Sequence, residues 1–333
     1  MTETASLPDT MRCIEISEPG GPEVLVPAER AVPTPAVGEV LVKVQAAGVN
    51  GPDLMQRKGL YPPPKGASDL LGLEVAGEIV ATGESVGGWQ VGDAVTALTN
   101  GGGYAEYCAV DASHCLPVPD GFSMVEAASL PETYFTIWSN IFMHAHLAPG
   151  EVYLVHGGAG GLGTTSIQLG KAFGATVVAT DSPASRTAIC SALGADRVID
   201  YREEDFVEIV REEFGGADVI LDIVGGDNIA KNIKAASPDA RIVQLAFAKG
   251  SKVDINLMPV MLKRLVFTGS TLRSRPAEQK TAIAHELADK VWPLFSAGRL
   301  KPVAGTTLAL EAAAEAHRMM EAAEHTGKIV LTV

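Results

Sequence analysis

Three glycines at fixed spacing, Gly158-x-Gly160-x-x-Gly163, are the residues of this 333-residue chain best suited to hold a charged ligand. A glycine turn that opens a helix can bring bare backbone N–H groups against a phosphate, and the positive end of the helix dipole adds to the attraction. The flanks give the spacing its weight. An apolar, strand-like run, Val152 to Val155, precedes the turn, with a helix-like stretch, Thr164 to Phe173, and a second apolar run, Thr176 to Ala179, after it. Strand, glycine turn, helix, strand is the context of a dinucleotide site. One glycine serves the tight turn, one the approach of backbone to a pyrophosphate, one the packing of helix on strand; Gly161 lies within the same turn. The alternative is a glycine turn that binds nothing. Asp181 ends the second strand 23 residues after Gly158, where a carboxylate usually bonds the adenosine ribose and repels a 2′-phosphate.

Other reactive side chains form no such pattern. Cys13, Cys108, Cys115 and Cys190 make no CxxC pair, so neither a zinc ribbon nor a disulfide framework is expected. Cys108 and Cys115 lie in a strand-like stretch near Tyr104 and Tyr107, and read as buried structural thiols. There is no HExxH. His144 and His146 lie two apart without a third ligand and read as helix-end residues, while His156, directly before the glycine turn, reads as a packing residue. Asp53 is expected to cap the helix that follows it rather than act as a general acid.

These residues need a scaffold, and the chain is long enough for two domains. Its hydrophobic fraction, 47%, excludes a disordered chain. A formal charge of −14 repels nucleic acid and anionic membrane, so neither is an expected partner. Met1 to Thr10 is polar and acidic, unlike a signal peptide, and no apolar stretch approaches the ~20 residues of a membrane helix. A reducing cytoplasm is the expected location.

Residues 11–130 look β-rich. Short apolar or alternating runs recur at Arg12–Ile16, Val40–Ala46, Val75–Thr82, Ala94–Leu98 and Tyr104–Val110, separated by Gly and Pro. Near Pro131 the pattern becomes an alternation of helix and strand. Beyond the opening unit, strands are predicted at Val198-Ile199, Val219–Leu221, Ile242–Leu245 and Leu265–Thr268, and helices at Glu203–Phe214 and Asn228–Ser237. A helix over Glu311–Glu324, a stop at Gly327 and a strand over Lys328–Val333 close the chain and are expected to rejoin the first domain. The fold class is α/β: a doubly wound parallel-sheet Rossmann domain at 131–270 and a β-rich domain made of 1–130 and 271–333.

Several segments together resemble the medium-chain dehydrogenase/reductase superfamily, in its zinc-independent quinone oxidoreductase branch. They are GVNGPDLMQRKGLYPPP (48–64), GLEVAGEIVATG (72–83), VGDAV (91–95), GGGYAEY (101–107), LPETYFTIW (130–138), HGGAGGLG (156–163), VIDYREEDF (198–206) and HTGKIVLT (325–332). The resemblance implies that the β-rich domain is GroES-like and catalytic, and that the protein is a homodimer joined at the sheet edge around Leu265–Thr268. Zinc-dependent members carry Cys and His ligands where this chain has Asn50 and Leu73, and the four-cysteine lobe is missing, so no metal is expected. Without a Lewis acid, hydride must pass from a nicotinamide to an electrophilic acceptor, a quinone or conjugated enone. By resemblance Asn50 and Tyr61 contact nicotinamide or substrate, and Thr136 touches the nicotinamide end. Asn50 as a turn residue, Tyr61 as a loop anchor and Thr136 as a packing residue are the alternatives.

The cofactor choice is balanced. Asp181 favours NADH. Yet a basic residue resembling Arg186 and a tyrosine resembling Tyr201 hold the 2′-phosphate in NADP-dependent relatives, and Ser182 falls at their small glycine position. Arginine matches phosphate geometry. NADPH is expected, with NADH possible; Arg186 as a solvated helix residue is the alternative. Two other functions stand beside the quinone reductase: an enoyl-thioester reductase, for which no basic surface for coenzyme A is evident, and a non-catalytic nicotinamide-binding protein.

Overall fold

The computed structural model describes residues 7–323 and 325–333. Most of the polar N-terminal segment, and Glu324, the expected last residue of the closing helix, lie outside the described residues. The chain divides into two compact units: one runs to Phe135 and resumes over Arg273–Val333, the other is Thr136–Leu272. The break expected at Pro131 falls instead inside a helix, Pro131–Ile137, which continues into a π-helical turn, Trp138–His144. A change of composition marks the start of that helix, not the place where contacts change sides.

The first unit contains strands β1 (Thr10–Ile16), β2 (Leu25–Ala31), β3 (Glu39–Val49), β4 (Glu74–Thr82), β5 (Ala94–Leu98), β6 (Tyr107–Asp111) and β7 (Cys115–Pro117). The second holds β8 (Val152–His156), β9 (Thr176–Asp181), β10 (Arg197–Asp200), β11 (Ala217–Asp222), β12 (Ala236–Gln244) and β13 (Val266–Gly269). β14 (Ala304–Ala309) and β15 (Lys328–Thr332) return to the first unit, where β15 pairs antiparallel with β3. The seven-stranded sheet runs β14-β15-β3-β4-β5-β7, with β6 also on β3, while β1 and β2 pair with each other. β3 is its centre, buried on both faces through Val40, Leu41, Val42, Val44 and Ala46.

The strands not foreseen are β2, β7 and β14. β2 carries Pro27 and two charges, β7 has three residues, and β14 is a half-exposed edge. Such strands bury too little to need the apolar alternation that marks a central strand. The helix Ala277–Lys290 was also unmarked, because its apolar stripe is thin. The closing helix is shorter than expected, Ala313–Glu321.

The second sheet is fully parallel in the order β10-β9-β8-β11-β12-β13. Counted from β8 this is 3-2-1-4-5-6, the Rossmann order, and it fixes where a ligand can sit: outside the carboxyl ends of the strands, where the order reverses between β8 and β11. Among the described residues no helix is long and apolar enough to cross a membrane.

Candidate active site

The glycine turn leaves the end of β8 and enters the helix Gly161–Ala172, with Gly160 at its N-cap. No side chain caps that end, so its first N–H groups face outward for a ligand to satisfy. The glycines divide their work differently from the simple expectation. The left-handed residue of the turn is Gly157 (φ +72°), one place before the motif. A Cβ on Gly158 would lie 2.7 Å from Cys190 Sγ and 3.1 Å from Ala179 Cβ, so this glycine lets the turn pack on β9. A Cβ on Gly163 would lie 2.1 Å from the Gly157 carbonyl oxygen, so this one lets the helix meet the turn. Only Gly160 faces open space, its nearest neighbour being the Gly157 oxygen at 3.5 Å. The protein itself has no need of a glycine there, but a pyrophosphate does, and the turn therefore fits a dinucleotide.

Asp181 is buried at the end of β9 and both of its oxygens are engaged. Oδ2 accepts the Ala159 N–H at 2.8 Å, across from the glycine turn; Oδ1 accepts the Ser182 N–H at 2.8 Å and Arg186 Nε at 2.7 Å. Arg186 is thus ion-paired rather than solvated, with 16% of its side chain exposed. The two residues that argued for opposite cofactors form one salt bridge, which offsets the repulsion expected of a lone carboxylate. The register Asp200↔Asp181 puts Ser182 and Tyr201 just beyond adjacent strand ends. Tyr201 is exposed, with the Lys249 ammonium 5.8 Å from its ring centroid. Thr136 is buried just before the π-helical turn, and its carbonyl accepts Asn140 Nδ2 at 2.8 Å and Ser139 Oγ at 3.2 Å.

Around Asn50, in the other unit, the buried polar groups close on one another. Asn50 stands at the N-cap of the helix Gly51–Arg57, where its backbone carbonyl accepts the Asp53 N–H at 3.0 Å and the Asp53 side chain accepts the Asn50 N–H at 2.8 Å. Asp53 also accepts the Gly72 N–H at 3.0 Å; burial nonetheless pushes its carboxyl up to about 6. The capping role expected of Asp53 is present, from the third helical position. The Asn50 carboxamide points inward: Nδ2 donates to Glu74 Oε1 at 2.9 Å, and Oδ1 accepts Lys328 Nζ. Lysine only donates, so the amide orientation is fixed. Lys328 and Glu74 complete the triangle with a 2.6 Å ion pair, and Glu74 Oε2 accepts the Glu132 N–H at 2.9 Å. Glu74 and Lys328 escaped the sequence reading; the available signal was a charge opening an apolar strand, in EVAGEIV and KIVLT.

Tyr61 sits in the loop after that helix with the Arg273 guanidinium 5.7 Å from its ring centroid. Arg273 is buried and held by the Gln56 side chain at 2.6 Å and the Asn100 carbonyl at 2.8 and 2.6 Å. Nothing in the sequence marked Arg273, which lies more than two hundred residues from Tyr61. The other candidates are structural. Cys108 is buried, with burial pushing its thiol up to about 12, and burial raises Cys115 as well. His156 is a hydrogen-bonded core residue: it meets Thr180 Oγ1 and Asn232 Oδ1, each at 2.8 Å, and Asn232 Nδ2 donates to Asp222. His144 ends the π-helical turn, 3.1 Å from Thr268 Oγ1. Among the described residues no three His, Cys, Asp or Glu side chains are grouped to hold a metal ion.

Comparison with known proteins agrees with this arrangement. The family model for the alcohol dehydrogenase GroES-like domain matches residues 36–120, and that for the zinc-binding dehydrogenase matches residues 161–288. Human quinone oxidoreductase is 32% identical over 329 residues, covering 96% of this chain and 97% of that protein. A mycobacterial protein solved in complex with NADPH superposes with a TM-score of 0.86 at 30% identity, over 97% of this chain and 100% of the other. The CurK enoyl reductase superposes with a TM-score of 0.85 at 27% identity, over 98% and 99%. The chain belongs to the medium-chain dehydrogenase/reductase superfamily, in the branch of the zinc-independent quinone oxidoreductases.

Proposed function

We propose that this oxidoreductase transfers hydride from NADPH to a quinone or conjugated carbonyl, without zinc. The observation that carries the reading is the open face at Gly160, on a turn otherwise closed by its own packing, with Arg186 on the adenosine side. The bound nicotinamide supplies the hydride. The chain's own groups hold the phosphates on the backbone of residues 161–163, which open the helix after Gly160, and leave a polar setting for the acceptor oxygen. Tyr61 is the candidate donor to that oxygen, and the positive charge of Arg273 over its ring favours negative charge developing there. Asn50 stands where zinc-dependent relatives carry a cysteine, and its carboxamide, engaged by Glu74 and Lys328, offers a dication neither thiolate nor imidazole. NADPH consumption is therefore expected with a panel of quinones and enones, undiminished by chelators and with no stoichiometric zinc on elemental analysis. About one zinc per chain, with activity lost to chelation, would sink the metal-free reading.

For the cofactor, Arg186→Ala is expected to raise the dissociation constant of NADPH about ten- to a hundredfold, the worth of a charge-assisted bond, with NADH nearly unchanged. Asp181→Ala is a poorer probe than its position suggests, because it also strips the acceptor from the buried Ala159 N–H. Equal weakening of both cofactors by Arg186→Ala would mean that the arginine serves the turn rather than the phosphate.

The quaternary reading rests on the far edge of the parallel sheet. β13 is an outer strand with Val266 and Phe267 exposed, and beside it the helix Met258–Lys263 exposes Met261 and Leu262, about two-thirds of each. An apolar edge strand of this kind is a pairing surface. A homodimer is expected in sedimentation, and Phe267→Lys should shift it to monomer; a wild type that sediments as a monomer at micromolar concentration would refute it.

A further inference from the structure

Tyr201 and Lys249 meet across the top of the parallel sheet. Tyr201 follows β10; Lys249 lies in the loop after β12. In the sheet those strands are separated by β9, β8 and β11, about 19 Å at the usual spacing of parallel strands. The 5.8 Å contact between ammonium and ring therefore bridges the carboxyl ends of three strands. β8 runs into the glycine turn and β9 ends in Asp181, so the bridge spans the place where the adenosine half of a dinucleotide lies in this sheet order.

The base of Lys249 is fixed, although its side chain is exposed. Leu245, Ala248 and Lys249 donate their N–H groups to the carbonyls of Asp222, Ile223 and Val224 at 2.9, 3.3 and 2.7 Å, and the Gly226 N–H returns to Gly250 O at 2.8 Å. Asp222 in turn accepts the N–H groups of Val224 and Gly225 at 2.6 and 3.0 Å. Both glycines have positive φ, and a Cβ on either would lie 2.8 Å from a carbonyl of the 249–250 loop, so that loop is seated closely on the turn after β11. From this seated loop the lysine stem reaches outward.

Its charge is also uncommitted in a way that Arg186 is not. Arg186 is paired with Asp181, whereas among the described residues no carboxylate pairs with Lys249; its partner is the face of an aromatic ring, a weak partner at an exposed site. On the same rim stand Ser182, Arg186 and Tyr201. We infer that Lys249 is a specificity-determining residue: it leaves the Tyr201 ring to supply a second cation to the 2′-phosphate of NADPH, from the side of the crevice opposite Arg186. The inference rests on the NADPH reading above.

The test is calorimetric titration of wild type, Lys249→Met and Lys249→Arg with four nucleotides: NADPH, NADH, adenosine 2′,5′-bisphosphate and 5′-AMP. Methionine keeps the stem and removes the charge. We expect Lys249→Met to weaken NADPH and the bisphosphate about five- to tenfold, as for a single partly exposed charge pair, and to leave NADH and 5′-AMP within about twofold. Lys249→Arg should keep the preference, and the salt dependence of bisphosphate binding should flatten in the methionine variant only. Equal weakening of all four ligands, or of none, overturns the role of Lys249 while the wild-type preference for the bisphosphate still stands. A wild type that binds bisphosphate no better than 5′-AMP overturns the NADPH reading itself, and this inference with it, before any variant is compared.

Discussion

Lys328→Met is expected to destabilise the protein by about 3–5 kcal/mol, the cost of leaving a buried charge without its partner. Glu74 is fully buried and Lys328 nearly so, with 0% and 6% of their side chains exposed. Removing the ammonium leaves the Glu74 carboxylate with only Asn50 Nδ2 and the Glu132 N–H, and leaves Asn50 Oδ1 without its donor. Because the penalty belongs to the orphaned charge, the double variant Lys328→Met/Glu74→Gln should recover a large part of the loss. Denaturant midpoints of the two single variants and the double variant close a cycle that isolates the coupling. A loss below about 1 kcal/mol in Lys328→Met, the range of an exposed pair, would show that water reaches this triangle.

The second large effect separates two glycines three residues apart. Gly160→Val should leave the folded protein close to wild-type stability, since its Cβ enters open space. It should nonetheless abolish most cofactor binding. Losing two charge-assisted backbone–phosphate bonds of roughly 1.5–3 kcal/mol each raises the dissociation constant about 10²- to 10⁴-fold. Gly163→Val should do the reverse: with a Cβ 2.1 Å from the Gly157 oxygen, the turn or the helix must move, at about 3 kcal/mol or more of stability. Thermal melts paired with fluorescence titrations by NADPH distinguish the two. Unchanged affinity in a folded Gly160→Val protein would remove the pyrophosphate from this turn.

Much of this was legible in one dimension because of what local structure demands. The Rossmann strands are buried between layers and must be apolar throughout, so their runs stand out; β8, β9 and β11 were read to within one or two residues. The glycine spacing was legible because a close backbone approach tolerates no side chain. What each glycine approaches was not. Gly158 faces Cys190 and Gly163 faces the turn that precedes it, and only folding brings those atoms together.

The sequence by itself determined the fold class, the order of the central strands, the family and the place of the glycine turn, since each depends on periodicity or on residues adjacent along the chain. Tertiary structure decided how charge is distributed. It joined Asp181 to Arg186 where the sequence had set them against each other, buried Asn50 between Glu74 and Lys328, placed Arg273 over Tyr61 and carried Lys249 to Tyr201. All but the first of these pairings join residues at least twenty positions apart, on different elements. Electrostatic energy depends on distance in space and on exclusion of water, and neither has a counterpart in position along the chain.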